Sequence, residues 1–135
     1  MPASKVFLDT NVLLYLLPAD AEKVDRAEAL VENGAIISVQ VLNEMTNVML
    51  RKLVMSWREI EEVLTVIRAV SPVEPLTIDA HDLGMRVAEC YQLSVYDAMI
   101  AAAALLVDCE IPYSEDMHSG LLIEDQLRVI NPFIT

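Results

Sequence analysis

The sequence is poor in the residues that build several common kinds of site. It has only three glycines, widely separated, so no glycine-rich loop that could cradle a phosphate is present. Its two cysteines, Cys90 and Cys109, and its two histidines, His81 and His118, show none of the spacings of a zinc site. Free thiols in a reducing compartment explain the cysteines best.

Positive charge is also scarce. Nine Lys and Arg residues stand against 21 Asp and Glu residues, which gives a formal net charge of -12. A broad phosphate-binding surface is therefore excluded, and any contact with nucleic acid must be local or metal-assisted. The best local basic cluster is Arg51, Lys52 and Arg58, although a solvated helix junction explains these three residues equally well.

Long hydrophobic runs are missing as well. The longest uninterrupted apolar run, residues 98–107, is half of the roughly 20 residues that a bilayer requires, and Asp9 interrupts the first apolar segment. We therefore expect a soluble, cytoplasmic protein that does not associate with membranes. The hydrophobic content of 55% is nevertheless high for this length, and it predicts an oligomer or a permanent protein partner.

Short apolar runs alternate with helical periodicity along the whole chain. The segments "KVFLD", "AIIS", "SPVEP", "CEIPYS" and "LRVI" read as strands, and amphipathic segments separate the first four. No linker or repeat divides the chain. These features predict an α/β fold in a single domain over residues 1–135, with a parallel sheet covered by helices on both faces.

Acidic residues lie at the ends of several predicted elements. Asp9 ends the first strand, Glu44 lies at the margin of an apolar helix face, and Asp116 follows the fourth strand. Asp97 begins the most apolar helix, where Ser94 and Asp97 also have the spacing of a capping box. Capping, turn formation or solvation explains each residue taken singly.

Taken together, the four acids suggest a shared site. In a doubly wound sheet the first and fourth strands are neighbours, and their carboxyl ends border the ligand crevice. Two carboxylates about 4 Å apart repel each other by roughly 4 kcal/mol at an effective dielectric constant near 20. A divalent cation would relieve this repulsion, and all-oxygen ligands favour Mg²⁺ or Mn²⁺.

The segments that carry these acids resemble a known family. "VFLDTN", "ISVQVLNEM", "VYDAMIAAAA" and "YSEDMHSG" are similar to the four acidic motifs of the PIN-domain ribonucleases, and especially of the VapC-type toxins of toxin–antitoxin pairs. The resemblance runs from residue 5 to about residue 130. It implies a three-layer α/β/α sandwich with a five-stranded parallel sheet, metal-dependent cleavage of RNA, a homodimer and a cognate antitoxin.

By position, the resemblance makes Asp9, Glu44, Asp97 and Asp116 the catalytic and metal-binding residues. The same resemblance makes Thr10, Asn11 and Ser114 supporting polar groups, with Ser114 in a position where the family often has threonine. Because Glu115 stands beside Asp116, the sequence leaves open which of the two is the fourth acid.

Two other classes of function stay open. Mg²⁺-dependent phosphoacceptor and phosphatase domains also place an acid after the first strand, but Asn11 stands where such phosphatases have their second acid. The second alternative is a non-catalytic binding module that has kept the PIN fold for association. Such a module should not bind Mn²⁺ at the four acids.

Overall fold

The computed structural model describes residues 5–17 and 21–134. Helices occupy every segment that the periodicity predicts within these residues, and the α/β class is confirmed. The elements in chain order are β1 Val6–Leu8, α1 Thr10–Leu14, α2 Ala21–Glu32, β2 Ile37–Ser38, α3 Val39–Arg51, α4 Trp57–Val70, β3 Val73–Glu74, α5 Ile78–Tyr91, α6 Val95–Leu106, β4 Ile111–Tyr113, β5 Leu122–Ile123 and β6 Leu127–Arg128.

The strands are short and mostly parallel. β1 pairs with β4 in parallel, as expected, with Phe7 opposite Pro112, and β2 pairs with β3 in parallel. Single parallel bridges join Phe7 to Ile36 and Tyr113 to Ile130. The carboxyl ends of β1 and β4 therefore lie side by side, and the loops that follow them can contribute to one site.

The five-stranded parallel sheet is not confirmed. The described residues form three separate two-stranded pairs, and the third pair, β5 with β6, is antiparallel. The sequence gives no sign of this hairpin, because Glu124 and Asp125 both adopt positive φ angles, 52° and 56°, without the glycine or asparagine that usually marks such a turn.

The apolar character of α6 follows from its position in the core. Its residues 98–105 are all buried, and the helix packs against α5, α3, β2 and β6. An α-helix with neighbours on several sides needs apolar residues around its whole circumference. Along the described chain, no helix combines the length and the apolar character that crossing a bilayer would take.

Close packing between α5 and α6 depends on Gly84. A Cβ atom at this position would lie 2.6 Å from Sδ and 3.4 Å from Cα of Met99. The thioether could move aside for one methyl group, but the main chain of α6 limits the space for a larger side chain.

We therefore predict that Gly84→Val lowers the free energy of unfolding by about 1–3 kcal/mol, because it overpacks the interface between these two helices. Urea unfolding measures the change. Met85→Val, at the exposed neighbouring position of the same helix, is the control and should cost less than about 1 kcal/mol. Equal effects of the two substitutions would show that the contact between Gly84 and Met99 does not constrain the helix pair.

Candidate functional site

Asp9 links the sheet to the first helix. It follows β1 directly and is the N-cap of α1, where its Oδ1 accepts a hydrogen bond from the Thr10 amide at 2.7 Å. Its Oδ2 accepts one from the Ser114 hydroxyl at 2.6 Å. The side chain is therefore fixed from both the first turn of α1 and the loop after β4, in a residue that is only 2% exposed.

The environment of Asp9 disfavours its charged form. Burial is the main cause, and it raises the pKa of Asp9 from 3.8 to about 7. The hydrogen bonds from Ser114 and Thr10 oppose this rise, whereas the negative charges of Asp97 and Glu44 add to it. Asp9, Asp97 and Glu44 therefore share one electrostatic environment, as the sequence predicts.

Glu44 is held by two neighbouring side chains. It lies on α3, whose N-cap is Ser38 at the end of β2. The Thr10 hydroxyl donates to its Oε1 at 3.1 Å, and the amide of Gln40, one turn earlier on α3, donates to its Oε2 at 3.0 Å. The margin position predicted from the sequence thus becomes a fixed position beside Asp9.

Asp97 is half-buried in the first turn of α6. The Ser94 hydroxyl accepts a hydrogen bond from the Asp97 amide at 3.1 Å, so Ser94 caps the helix. The reciprocal bond, from the Ser94 amide to the Asp97 carboxylate, is not formed, in contrast to the complete capping box of Ser56 and Glu59 on α4. The Glu59 carboxylate is therefore used in capping its helix, whereas the Asp97 carboxylate is not.

The pKa of Asp97 is also raised. Burial is the main cause, the Ser94 hydroxyl opposes it, and the negative charge of Asp116 adds to it. Asp97 thus interacts electrostatically with Asp9 on one side and with Asp116 on the other.

The loop after β4 separates Glu115 from Asp116. Glu115 forms an ion pair with Lys23 at 2.7 Å and accepts a hydrogen bond from the Tyr15 hydroxyl at 2.6 Å. Burial raises the pKa of Glu115, but the bonds from Lys23 and Tyr15 together outweigh burial, and the net shift is downward. Asp116 is exposed and faces the pocket described below.

Three of the four acids meet at an open pocket of about 770 Å³, within the size range of ligand sites. Asp9, Glu44 and Asp116 line it, and Asp97 is not among its lining residues. The other residues that line the pocket are Thr10, Asn11, Leu14, Gln40, Asn43, Asn47, Val48, Lys52 and Tyr96.

Two of the supporting residues contact the site through different groups. Ser114 is fully buried and also accepts a hydrogen bond from the Met117 amide, which shapes the loop around Asp116. The Asn11 side chain accepts one from the Glu115 amide at 3.1 Å. Its own buried Nδ2 has no hydrogen-bond partner within the described residues.

The predicted basic cluster is divided in the structure. Lys52 lines the pocket, and Arg51 donates a hydrogen bond to Asn47, one of the lining residues, at 3.0 Å. Arg58 is 3.8 Å from Glu62 on the exposed surface of α4, outside the pocket. Of the three basic residues, Lys52 is the one beside the acids.

The structure adds polar residues that the sequence analysis missed. Gln40 could have been found, because it lies four residues before Glu44 and so on the same helix face. Tyr15 and Lys23 could not, since they reach Glu115 from almost a hundred residues away. Lys23 also lies 4.5 Å from the centre of the Tyr15 ring, a cation–π distance.

Metal ligands do not converge closely in this arrangement. Among the residues that the structure describes, no group of three or more His, Cys, Asp or Glu side chains is arranged to hold a metal ion. Any cation here would rest on fewer protein ligands, completed by water or by substrate oxygens.

The raised pKa of Asp9 predicts a pH dependence of stability. In metal-free protein, the unfolded chain releases the Asp9 proton near pH 3.8, whereas the folded chain holds it to about pH 7. Stability therefore falls as the pH rises through this interval. Asp9→Asn removes that loss, so the variant should gain stability over wild type between pH 4 and pH 8, by up to about 4 kcal/mol.

Urea unfolding of both proteins at pH 5 and pH 8 in chelator measures this difference. The contributions of titrating groups that do not interact with Asp9 cancel between the two proteins. A wild-type to variant difference that is the same at both pH values would contradict the assigned environment of Asp9.

Solved structures of three other proteins share the fold. One is a toxin–antitoxin complex from Klebsiella pneumoniae (20% identity, TM-score 0.69, 96% of this chain and 98% of that chain). Another is VapC20 of Mycobacterium tuberculosis, described as a toxin that cleaves the sarcin–ricin loop (20% identity, TM-score 0.63, 83% of this chain and 90% of that chain). The third is FitAcB from Neisseria gonorrhoeae (17% identity, TM-score 0.68, 95% of this chain and 98% of that chain).

Comparison with curated protein sequences gave no match. Comparison with family profiles matched residues 6–117 to the PIN domain, a segment that runs from β1 through the loop after β4 and includes all four acids. With most of its length matched in this way, the chain belongs to the PIN domain family.

Proposed function

We propose that this chain is a metal-dependent endoribonuclease that hydrolyses RNA phosphodiester bonds, and that it is the VapC-type toxin of a toxin–antitoxin pair. The observation that carries the proposal is the meeting of Asp9, Glu44 and Asp116 at one pocket, with Asp97 coupled to Asp9 and Asp116. VapC20, which shares the fold, is described as a sarcin–ricin loop cleaving toxin, and this supports cleavage chemistry here.

The residues present fit a hard divalent cation. Carboxylate oxygens are the ligands that Mg²⁺ and Mn²⁺ prefer, and each Asp9 oxygen keeps a lone pair beyond the one that its hydrogen bond uses. Mg²⁺ usually takes one or two carboxylates and keeps several waters, so it does not need three converging side chains. Asp9, Asp97, Asp116 and Glu44 are the residues that would hold it.

A bound Mg²⁺ or Mn²⁺ would supply a water of lowered pKa and positive charge to offset the negative charge on the phosphate. Around it, the chain's own residues have distinct tasks. Ser114 and Thr10 fix the orientation of Asp9, while Thr10 and Gln40 fix that of Glu44. The unpaired Nδ2 of Asn11 is a donor that an oxygen of water or phosphate would satisfy.

The adjacent acids Glu115 and Asp116 take different roles in this proposal. The Glu115 carboxylate pairs with Lys23 and accepts a hydrogen bond from Tyr15, and the Glu115 amide donates one to the Asn11 side chain. Asp116 is exposed and lines the pocket, so we assign the fourth acid to Asp116.

Protein partners are part of the proposal. Large apolar side chains are exposed on α4, on α5 and before α4, including Trp57, Ile78 and Val54, which is 81% exposed. Such surface is costly in water and is usually covered by another protein. A cognate antitoxin and a second copy of the chain are the partners that we propose, and toxin–antitoxin complexes with this fold support the first.

We predict that Mn²⁺ raises the thermal unfolding midpoint of the wild-type protein. A ligand at about 100 times its dissociation constant adds roughly 2.7 kcal/mol to the native state. Asp97→Asn and Asp116→Asn should lose most of this gain, since each removes a proposed ligand. Thermal scans with chelator and with increasing Mn²⁺ measure it.

Glu115→Gln is the matched control for these scans. It should unfold at a lower temperature than wild type, because its ion pair with Lys23 is lost, yet it should keep the gain from Mn²⁺. A wild-type protein that does not respond to Mn²⁺ would contradict the metal site and favour the non-catalytic binding module. A loss of response in Glu115→Gln alone would assign the fourth acid to Glu115.

Cleavage of RNA is the direct test of the activity. Purified wild-type protein with Mn²⁺ should cut a pool of structured RNAs, and chelator should stop the reaction. Asp9→Asn should lower the rate by at least about 100-fold, since it changes the most constrained acid of the site. Glu89→Gln, an exposed acid on α5, should keep the wild-type rate. Cleavage that survives in Asp9→Asn would indicate a contaminating nuclease and overturn the assignment.

A further inference from the structure

The pocket extends beyond the acids along one side of α3. Past Glu44, the residues that line it are Asn43, Asn47, Val48 and Lys52. Asn43 and Asn47 are one helical turn apart, so their side chains lie on the same face of the helix. This part of the pocket offers amide groups and one positive charge where the other part offers carboxylates.

The amide of Asn47 is oriented by its neighbour. Arg51 Nε donates a hydrogen bond to Asn47 Oδ1 at 3.0 Å, so the Nδ2 donor of Asn47 is left to point elsewhere. Asn43 and Asn47 are both exposed. Amides of this kind form hydrogen bonds with the edges of nucleic-acid bases.

Tyr96 supplies an aromatic surface at the same pocket. It stands in the first turn of α6, directly before Asp97, and it is 65% exposed. Tyr96 is the aromatic residue among the described residues that line this pocket. An exposed aromatic ring that lines the same pocket as exposed amides can serve as a surface on which an unpaired base stacks.

Charge limits how this pocket can bind RNA. With a net charge of -12 and Lys52 as the sole cation among the described lining residues, phosphate contacts supply little affinity. Apart from a bound divalent cation, affinity must therefore come from uncharged contacts such as stacking and amide hydrogen bonds. An unpaired base can make both kinds of contact, whereas a base that is stacked and paired inside an RNA duplex cannot.

We propose that Tyr96, Asn43 and Asn47 form a binding subsite for one unpaired RNA base next to the acidic site, in which Tyr96 stacks on the base and the two amides contact its edge. Lys52 contacts a neighbouring phosphate. The subsite rests on the proposed nuclease function, and it names the residues that determine which nucleotide is presented to the acids.

The test compares binding of a fluorescein-labelled single-stranded oligoribonucleotide of mixed sequence with that of the same strand in a duplex. Fluorescence anisotropy with Ca²⁺ reports binding, and cleavage of the same strand with Mn²⁺ reports activity separately. Tyr96→Ala should weaken single-strand binding about 10-fold, whereas Tyr96→Phe keeps the ring and should bind within about twofold of wild type. Trp57→Ala, another exposed aromatic residue outside the pocket, should have no effect.

The duplex should bind wild type more weakly than the single strand, and Tyr96→Ala should leave duplex binding unchanged. Single-strand binding that is unaltered in Tyr96→Ala would overturn the subsite, and cleavage by that variant at the wild-type rate would leave the nuclease function standing. An equal loss in Trp57→Ala, or on the duplex, would also overturn it.

Tyr96-dependent binding without cleavage by wild type would support the subsite and contradict the nuclease. If wild type neither binds nor cleaves RNA, both proposals fail.

Discussion

The burial of one carboxylate, that of Asp9, is the constraint around which the site is built. Removing a carboxylate from water is costly unless hydrogen bonds or a cation compensate. Here the compensation comes from the Thr10 amide and the Ser114 hydroxyl. These bonds do not restore the ordinary pKa of Asp9, because burial outweighs them and the negative charges of Asp97 and Glu44 add to the effect of burial. The metal-free site is thus electrostatically unsatisfied, and a cation would relieve it.

The fold brings these charges together through the ends of its elements. Asp9 follows β1, Ser114 follows the neighbouring strand β4, and Asp97 lies in the first turn of α6. The apolar sequence of α6 lets this helix pass through the core, so that its first turn opens at the acidic site while the rest is buried. Stability and site geometry therefore depend on the same helix, and Gly84 allows α5 to pack closely against it.

Much of this arrangement is predictable from the sequence. Periodicity located the helices, and the pairing of β1 with β4 followed from the usual strand order. The hairpin of β5 and β6 was not predictable, because its turn places Glu124 and Asp125 at positive φ angles with no glycine to mark it. Asp9 was found through its position at the end of a strand, and Glu44 through its position at the margin of an apolar helix face.

Long-range contacts are the part that the sequence does not encode locally. Neither Glu115 nor Asp116 is distinguished by its neighbours in the sequence, and the difference arises from Lys23 and Tyr15, which are distant in the chain. The same holds for the pocket wall, where Tyr96 and Asn47 come together only in the folded chain.

The proposed nuclease requires that Asp9 and at least one other of the four acids hold a divalent cation in the folded protein. The most direct test is a crystal structure grown with Mn²⁺, with anomalous diffraction recorded at the manganese absorption edge. The account predicts an anomalous peak within coordination distance, about 2.0–2.3 Å, of oxygens of Asp9 and at least one other of the four acids. A well-ordered site without such a peak at saturating Mn²⁺, or a peak held by other residues, would contradict it.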